Sequence, residues 1–165
     1  MANFVELLEL RGPALTLLGG MLAVIGGGIG SSIGVGLAGE AAAGVLTEDP
    51  NKFGKLLILQ ALPGTQGIYG LLTWFMVMQS SGLLTGNVNL SWQTGLLYFL
   101  ACMPITIVGY KCAIYQGRTS EASIAMVAKQ PDASSKAIVL PAMVETYAIL
   151  ALLASVLSIL SINPV

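Results

Sequence analysis

The chain has no histidine, only two cysteines and 9% charged residues. Without histidine, and with cysteines only at positions 102 and 112, no zinc or haem spacing can be assembled. Both cysteines fall inside a hydrophobic stretch, where they read as small buried apolar side chains and not as a disulfide. A soluble domain carries about 25% charged residues, so the scarcity of charge excludes that class. Lys and Arg number 7 against 8 Asp and Glu, for a net charge of −1, and no basic patch of the kind nucleic acid requires is present.

What is abundant is apolar surface. Hydrophobic residues make up 55% of the chain and mean hydropathy is +0.83. Four apolar stretches stand out: Gly12 to Leu46, Leu56 to Gln79, Trp92 to Ala128, and Ala137 to Ile162. A helix needs about 20 residues to cross a bilayer, so each is long enough. The first follows Glu6 and Glu9 and runs far past the short apolar core of a secretory signal, so it is expected to be retained. The expected fold is therefore all-α: one membrane domain over residues 1–165, with a first helical hairpin at 12–80 and a second at 91–162.

Loop charge sets the expected orientation. The first loop carries Lys52 and Lys55, the third carries Lys129 and Lys136, and the middle loop, QSSGLLTGNVNLS, carries none. By the positive-inside rule loops 47–55 and 129–136 face the cytoplasm, with both termini and the middle loop outside. The lone Arg11 is a minor counter-signal.

The chain also repeats. A shift of 81 residues lays GLAGE at 36–40 over GRTSE at 117–121, Pro50 over Pro131, Lys55 over Lys136 and Thr65 over Thr146. It sets Gly64 against Glu145. A shift by two helices preserves direction across the membrane, so this is a duplicated hairpin in parallel topology. In the first stretch Gly26, Gly30 and Gly34, and beside them Gly28, Ser32 and Gly36, form small-residue stripes for close helix packing. They are no phosphate loop, because no Lys-Ser or Lys-Thr follows the glycines. Such stripes suit a ring of many copies, and a monomeric bundle could use them equally.

From Ala137 to the C-terminus Glu145 is the only charged residue. A bare carboxylate in hydrocarbon costs several kcal/mol, so it must be protonated or paired with a cation, and an intramembrane carboxylate is functional by default. Thr65 and Gln66 lie ten and eleven residues past Lys55, Gln116 thirteen before Lys129, and Glu145 nine past Lys136. At 1.5 Å per residue those depths are roughly 15, 20 and 14 Å, one polar layer within the slack of tilt. Pro63 and Gly64 disturb the helix just before Thr65 and free backbone carbonyls as further donors. Neutral oxygens with one negative charge suit a hard monovalent cation such as Na⁺, whereas Ca²⁺ would recruit more carboxylates.

PGTQGIYG at 63–70, YQG at 115–117 and AMVETYAIL at 142–150 resemble the membrane rotor proteolipid of V-type ATPases, above all the bacterial sodium-pumping enzymes. The resemblance spans nearly the whole chain. It implies a rotor ring of identical subunits in the cell membrane, turned against a stator by a soluble ATPase head. It also implies a Na⁺ site in which Glu145 carries the ion. Thr65, Gln66, Gln116 and the Leu62 carbonyl are then ligands, and Tyr69 steadies the carboxylate. Implied partners are a stator membrane subunit with an essential arginine, central-stalk subunits and lipid. The chain itself has no nucleotide site and is a non-catalytic subunit. Lys111 departs from the pattern, standing where an apolar or small residue is usual, about 140° around the helix from Gln116. Two alternatives stay open: a proton-carrying rotor of the same fold, and a structural or channel-forming four-helix membrane protein.

Overall fold

The computed structural model describes residues 11–86 and 89–162; Glu6, Glu9 and both termini, whose side of the membrane was inferred above, lie outside these residues. The helices are α1 (Arg11–Glu48), α2 (Phe53–Ala61), α3 (Thr65–Ser80), α4 (Trp92–Lys129) and α5 (Ser134–Ser161). Among the described residues three continuous helices, α1, α4 and the segment Pro131–Ser161, are long and apolar enough to cross a membrane. The remaining crossing, expected as one helix from Leu56 to Gln79, is split into α2 and α3 by a 3₁₀ turn at Leu62–Gly64. Pro63 supplies no N–H and cannot continue the α ladder. Ala61, Leu62, Gly64 and Thr65 all keep right-handed helical angles, so the chain tightens there without breaking off.

The duplication is visible in how the helices stop. α1 ends before Asp49-Pro50 and α4 before Gln130-Pro131. The helical region is disfavoured for a residue preceding proline; here Asp49 (φ −142°) is extended and Gln130 (φ −135°, ψ 83°) has likewise left the helical region. The two loops meet: Lys52 Nζ donates to the Ala128 carbonyl at 2.9 Å and Lys55 Nζ to the Pro131 carbonyl at 3.1 Å. Loops one and three therefore share one end of the bundle, and cations sit at the C-terminus of α4, where the helix dipole favours them. At the other end the middle loop turns through Gly82 (φ 76°) and Gly86 (φ 83°), the left-handed conformation that glycine adopts without strain.

α1 and α4 form the most extensive contact, and α5 lies against α4 as α3 lies against α1. Of the two small-residue stripes on α1, the one at 26, 30 and 34 is spent on this contact. A methyl group on Gly26 would lie 2.6 Å from the Thr106 carbonyl oxygen, and one on Gly30 2.6 Å from that of Tyr110. Gly117 of α4 meets the backbone of Gly34. Gly28 and Gly36, on the second stripe, have nothing within 4 Å. Many large apolar side chains are exposed on the single chain, as a surface facing lipid or other copies requires.

Candidate functional site: a polar layer across three helices

The break at Leu62–Gly64 builds one wall of the site. The Thr65 N–H and hydroxyl both donate to the Leu62 carbonyl, the hydroxyl at 3.1 Å. A hydroxyl that donates once keeps its lone pairs for another partner. The first N–H groups of a helix lack intrahelical acceptors, and Gly64, which precedes α3, offers no side-chain cap. Ser31 of α1 supplies one, its Oγ accepting from the Gly67 N–H at 2.8 Å. This anchors the start of α3 to the first helix and fixes where Gln66 and Tyr69 project.

Those two side chains reach α4 and α5. The Tyr69 hydroxyl donates to Glu145 Oε1 at 2.6 Å. Gln116 Nε2 approaches Glu145 Oε2 at 3.4 Å, beyond a strong hydrogen bond. Gln66 Nε2 donates to Gln116 Oε1 at 2.7 Å. Gln66 and Gln116 are fully buried, and Glu145 and Tyr69 are half-buried. One oxygen of Glu145 is thus held firmly and the other loosely. At the far end of the amide chain Gln66 Oε1 is buried with no hydrogen-bond partner. A buried carbonyl oxygen with no donor costs roughly 1–3 kcal/mol, and a cation is one way to satisfy it. Among the described residues no three His, Cys, Asp or Glu side chains cluster. A cation here would be held by one carboxylate and neutral oxygens.

The structure therefore joins Gln66, Tyr69, Gln116 and Glu145 in one hydrogen-bonded group, with Thr65 and Leu62 bonded to each other at its edge. Pro63 is buried against Gly34, and a methyl group on Gly64 would meet only Val35. Two supporting residues escaped the sequence. Ser31 stood unnoticed between the glycine stripes. Cys112, expected to be only a small apolar side chain, donates from Sγ to the Val144 carbonyl at 3.0 Å, next to Glu145. Its position four residues before Gln116, hence on the same face of the helix, was the available signal. Lys111 lies outside the group. It is exposed, its Nζ 5.7 Å from the centre of the Tyr110 ring, and it lines a groove of about 300 Å³ with Tyr115, Val144 and Tyr147.

Comparison with known proteins agrees with this architecture. Residues 18–77, and again 99–158, match the family of the ATP synthase C subunit, and the two matches are offset by the same 81 residues as the internal repeat. The chain is 43% identical to the V-type sodium ATPase subunit K of Enterococcus hirae over 91% of its own length and 93% of that protein. It is 36% identical to the A-type ATP synthase subunit K of Methanocaldococcus jannaschii over 90% of its length, spanning 63% of that longer chain. A hairpin matched twice at one offset, with two relatives aligned along nine-tenths of the sequence, makes this chain a member of the ATP synthase C-subunit family, a multi-pass membrane proteolipid.

Proposed function

We propose that the chain is the ion-carrying subunit of a V-type ATPase rotor ring and that Glu145 carries Na⁺, with Thr65, Gln66, Gln116 and the Leu62 carbonyl as its oxygen ligands. The observation that carries this is the buried, unpartnered Gln66 Oε1 at the end of an amide chain leading to a loosely held Glu145 oxygen. A proton bound to Glu145 would need none of these oxygens; a sodium ion would use them all. The likeness to a sodium ATPase subunit points the same way. The orientation read from the lysine loops, cytoplasmic at 47–55 and 129–136, belongs to the same proposal.

The chemistry follows from the arrangement. Na⁺ is the cargo, and bound to Glu145 it cancels the carboxylate's charge, so the subunit passes lipid at lower electrostatic cost. Tyr69, donating at 2.6 Å, holds the carboxylate on the α3 side while the ion is bound. At the stator a fixed cation, an arginine in the resemblance, would stabilise the emptied carboxylate and release the ion. ATP hydrolysis belongs to other subunits joined through a central stalk. One carboxylate per four crossings gives few ions per turn for a ring of given girth, which favours pumping against a steep gradient.

Equilibrium binding of radioactive sodium to the purified ring tests the ligand set. Gln66→Ala should weaken Na⁺ binding about tenfold or more, the scale of a polar contact to a charged group, with the ring intact. Unchanged affinity would remove Gln66 from the site and return the proton rotor as the better account.

A further inference from the structure

Lys111 stands near the middle of the 38-residue α4, faces outward and has no ion-pair partner among the described residues. An ammonium facing hydrocarbon at that depth is costly and by default has a partner. The internal repeat identifies where that partner lies. Within the chain, repeat one packs on repeat two through α1 and α4, with Gly26 against Thr106, Gly30 against Tyr110, and Gly34 against Ala113 and Gly117. Moving each residue by 81 positions turns this junction into the one that repeat two would make with repeat one of another copy. Ile107 then meets Ile25, Lys111 meets Ile29, and Tyr115 meets Ser32 and Gly36 of that copy.

Every residue so mapped is exposed on the single chain, on α1 and on α4 alike, whereas the residues of the internal junction are buried or half-buried. At the spot assigned to Lys111 the apolar face of α1 carries one polar feature: the Ser32 hydroxyl, donating to the Ile29 carbonyl at 2.9 Å. On either side of Ser32, Gly28 and Gly36 leave open space for the lysine stem and the Tyr115 ring.

We infer that Lys111 is a contact between copies: it docks on α1 of the next subunit, its ammonium donating to the Ser32 hydroxyl oxygen and the Ile29 carbonyl, with Ile107 and Tyr115 seated on either side. The two junctions around the ring are then unequal. Inside a chain glycine meets glycine, and a side chain at position 30 would strike the Tyr110 carbonyl. Between chains the equivalent position holds lysine, so neighbouring copies stand further apart than the two halves of one copy. The contact is head-to-tail, as a ring requires. The inference deepens the rotor-ring proposal and rests on it.

Disulfide cross-linking of the double variant Ile25→Cys/Ile107→Cys in native membranes is the test. Oxidation should yield a ladder of dimers, trimers and larger species, with none from either single variant, which also controls for Cys102 and Cys112. No ladder from the double variant, or dimers from Ile107→Cys alone, overturns the inference. The lysine is tested by ring survival in a heat series: Lys111→Met and Ser32→Ala should each cut survival about tenfold, the upper scale of an interhelical polar contact. The double variant should cut it no further, and independent, multiplying losses overturn the pairing. Neither readout involves sodium. A ring without the cross-link refutes this inference alone, and a cross-linked ring that binds no Na⁺ refutes the ion proposal alone.

Discussion

The two hairpins descend from one pattern and have diverged at the positions that matter most. At the middle of its second crossing, hairpin one has Pro63-Gly64-Thr65-Gln66, a 3₁₀ break and no charge. Hairpin two has Val144-Glu145-Thr146-Tyr147 in an unbroken helix that carries the carboxylate. On the first crossing of each hairpin, Gly26, Gly30 and Gly34 of α1 become Ile107, Lys111 and Tyr115 of α4. One hairpin supplies a broken backbone and neutral oxygens, the other the negative charge, and the small residues that α1 turns to the shared junction are matched on α4 by bulky residues on its exposed face. Neither half holds the polar layer alone, since Gln66 and Tyr69 come from the first and Gln116 and Glu145 from the second.

That division predicts which changes hurt most. Removing the one charge, by Glu145→Gln, should abolish sodium transport while the ring still assembles, measured as sodium uptake by vesicles containing the whole enzyme; normal uptake would mean the hairpins differ for some other reason. Next in size is packing. Gly117→Leu forces a side chain into the backbone of Gly34 and should cost at least about 1–3 kcal/mol by overpacking, visible as loss of folded chain on expression. Gly28→Leu, facing open space on the single chain, should leave the chain folded and impair only ring formation. Equal damage from both would erase the distinction between the packed glycine junction and the open stripe at Gly28 and Gly36.

Smaller effects probe the polar layer itself. Tyr69→Phe removes the 2.6 Å hydrogen bond to Glu145. It should weaken Na⁺ binding by about 1.5–3 kcal/mol, the range for hydrogen bonds to charged groups, in sodium titrations of the purified ring. Gly64→Ala should change least. Its methyl would meet only Val35 Cγ2 at 3.7 Å, so Na⁺ affinity should stay within about twofold, as for substitutions that create no cavity, clash or buried polar group. A large loss there would show that the 3₁₀ turn tolerates no side chain.

Much of this was legible in the sequence because membrane constraints are simple. Length and hydropathy identified the crossings, and the lysines at 52, 55, 129 and 136 marked two of the loops. The cost of Glu145 in hydrocarbon singled it out. Gln66, Gln116 and Tyr69 could be placed at its depth by counting residues or by resemblance. Contacts between helices were not legible. Nothing in a run of glycines says which stripe meets the other hairpin and which stays open, because both have the same spacing. Ser31 capping α3 and Cys112 bonding to the Val144 carbonyl depend on how helices rotate against one another, which periodicity does not fix. Similarly, the angle of Lys111 to Gln116 could be calculated, whereas the groove it enters needed α5 in place.

The most direct test of the central claim is carbodiimide labelling of Glu145 in the purified ring, with and without Na⁺, across a pH series. The reagent attacks the protonated carboxyl, so sodium and protons compete for one oxygen pair. A sodium site predicts that Na⁺ protects Glu145 and that more Na⁺ is needed as pH falls. Labelling that follows pH alone and ignores Na⁺ would contradict it, leaving a proton rotor whose surrounding oxygens are structural.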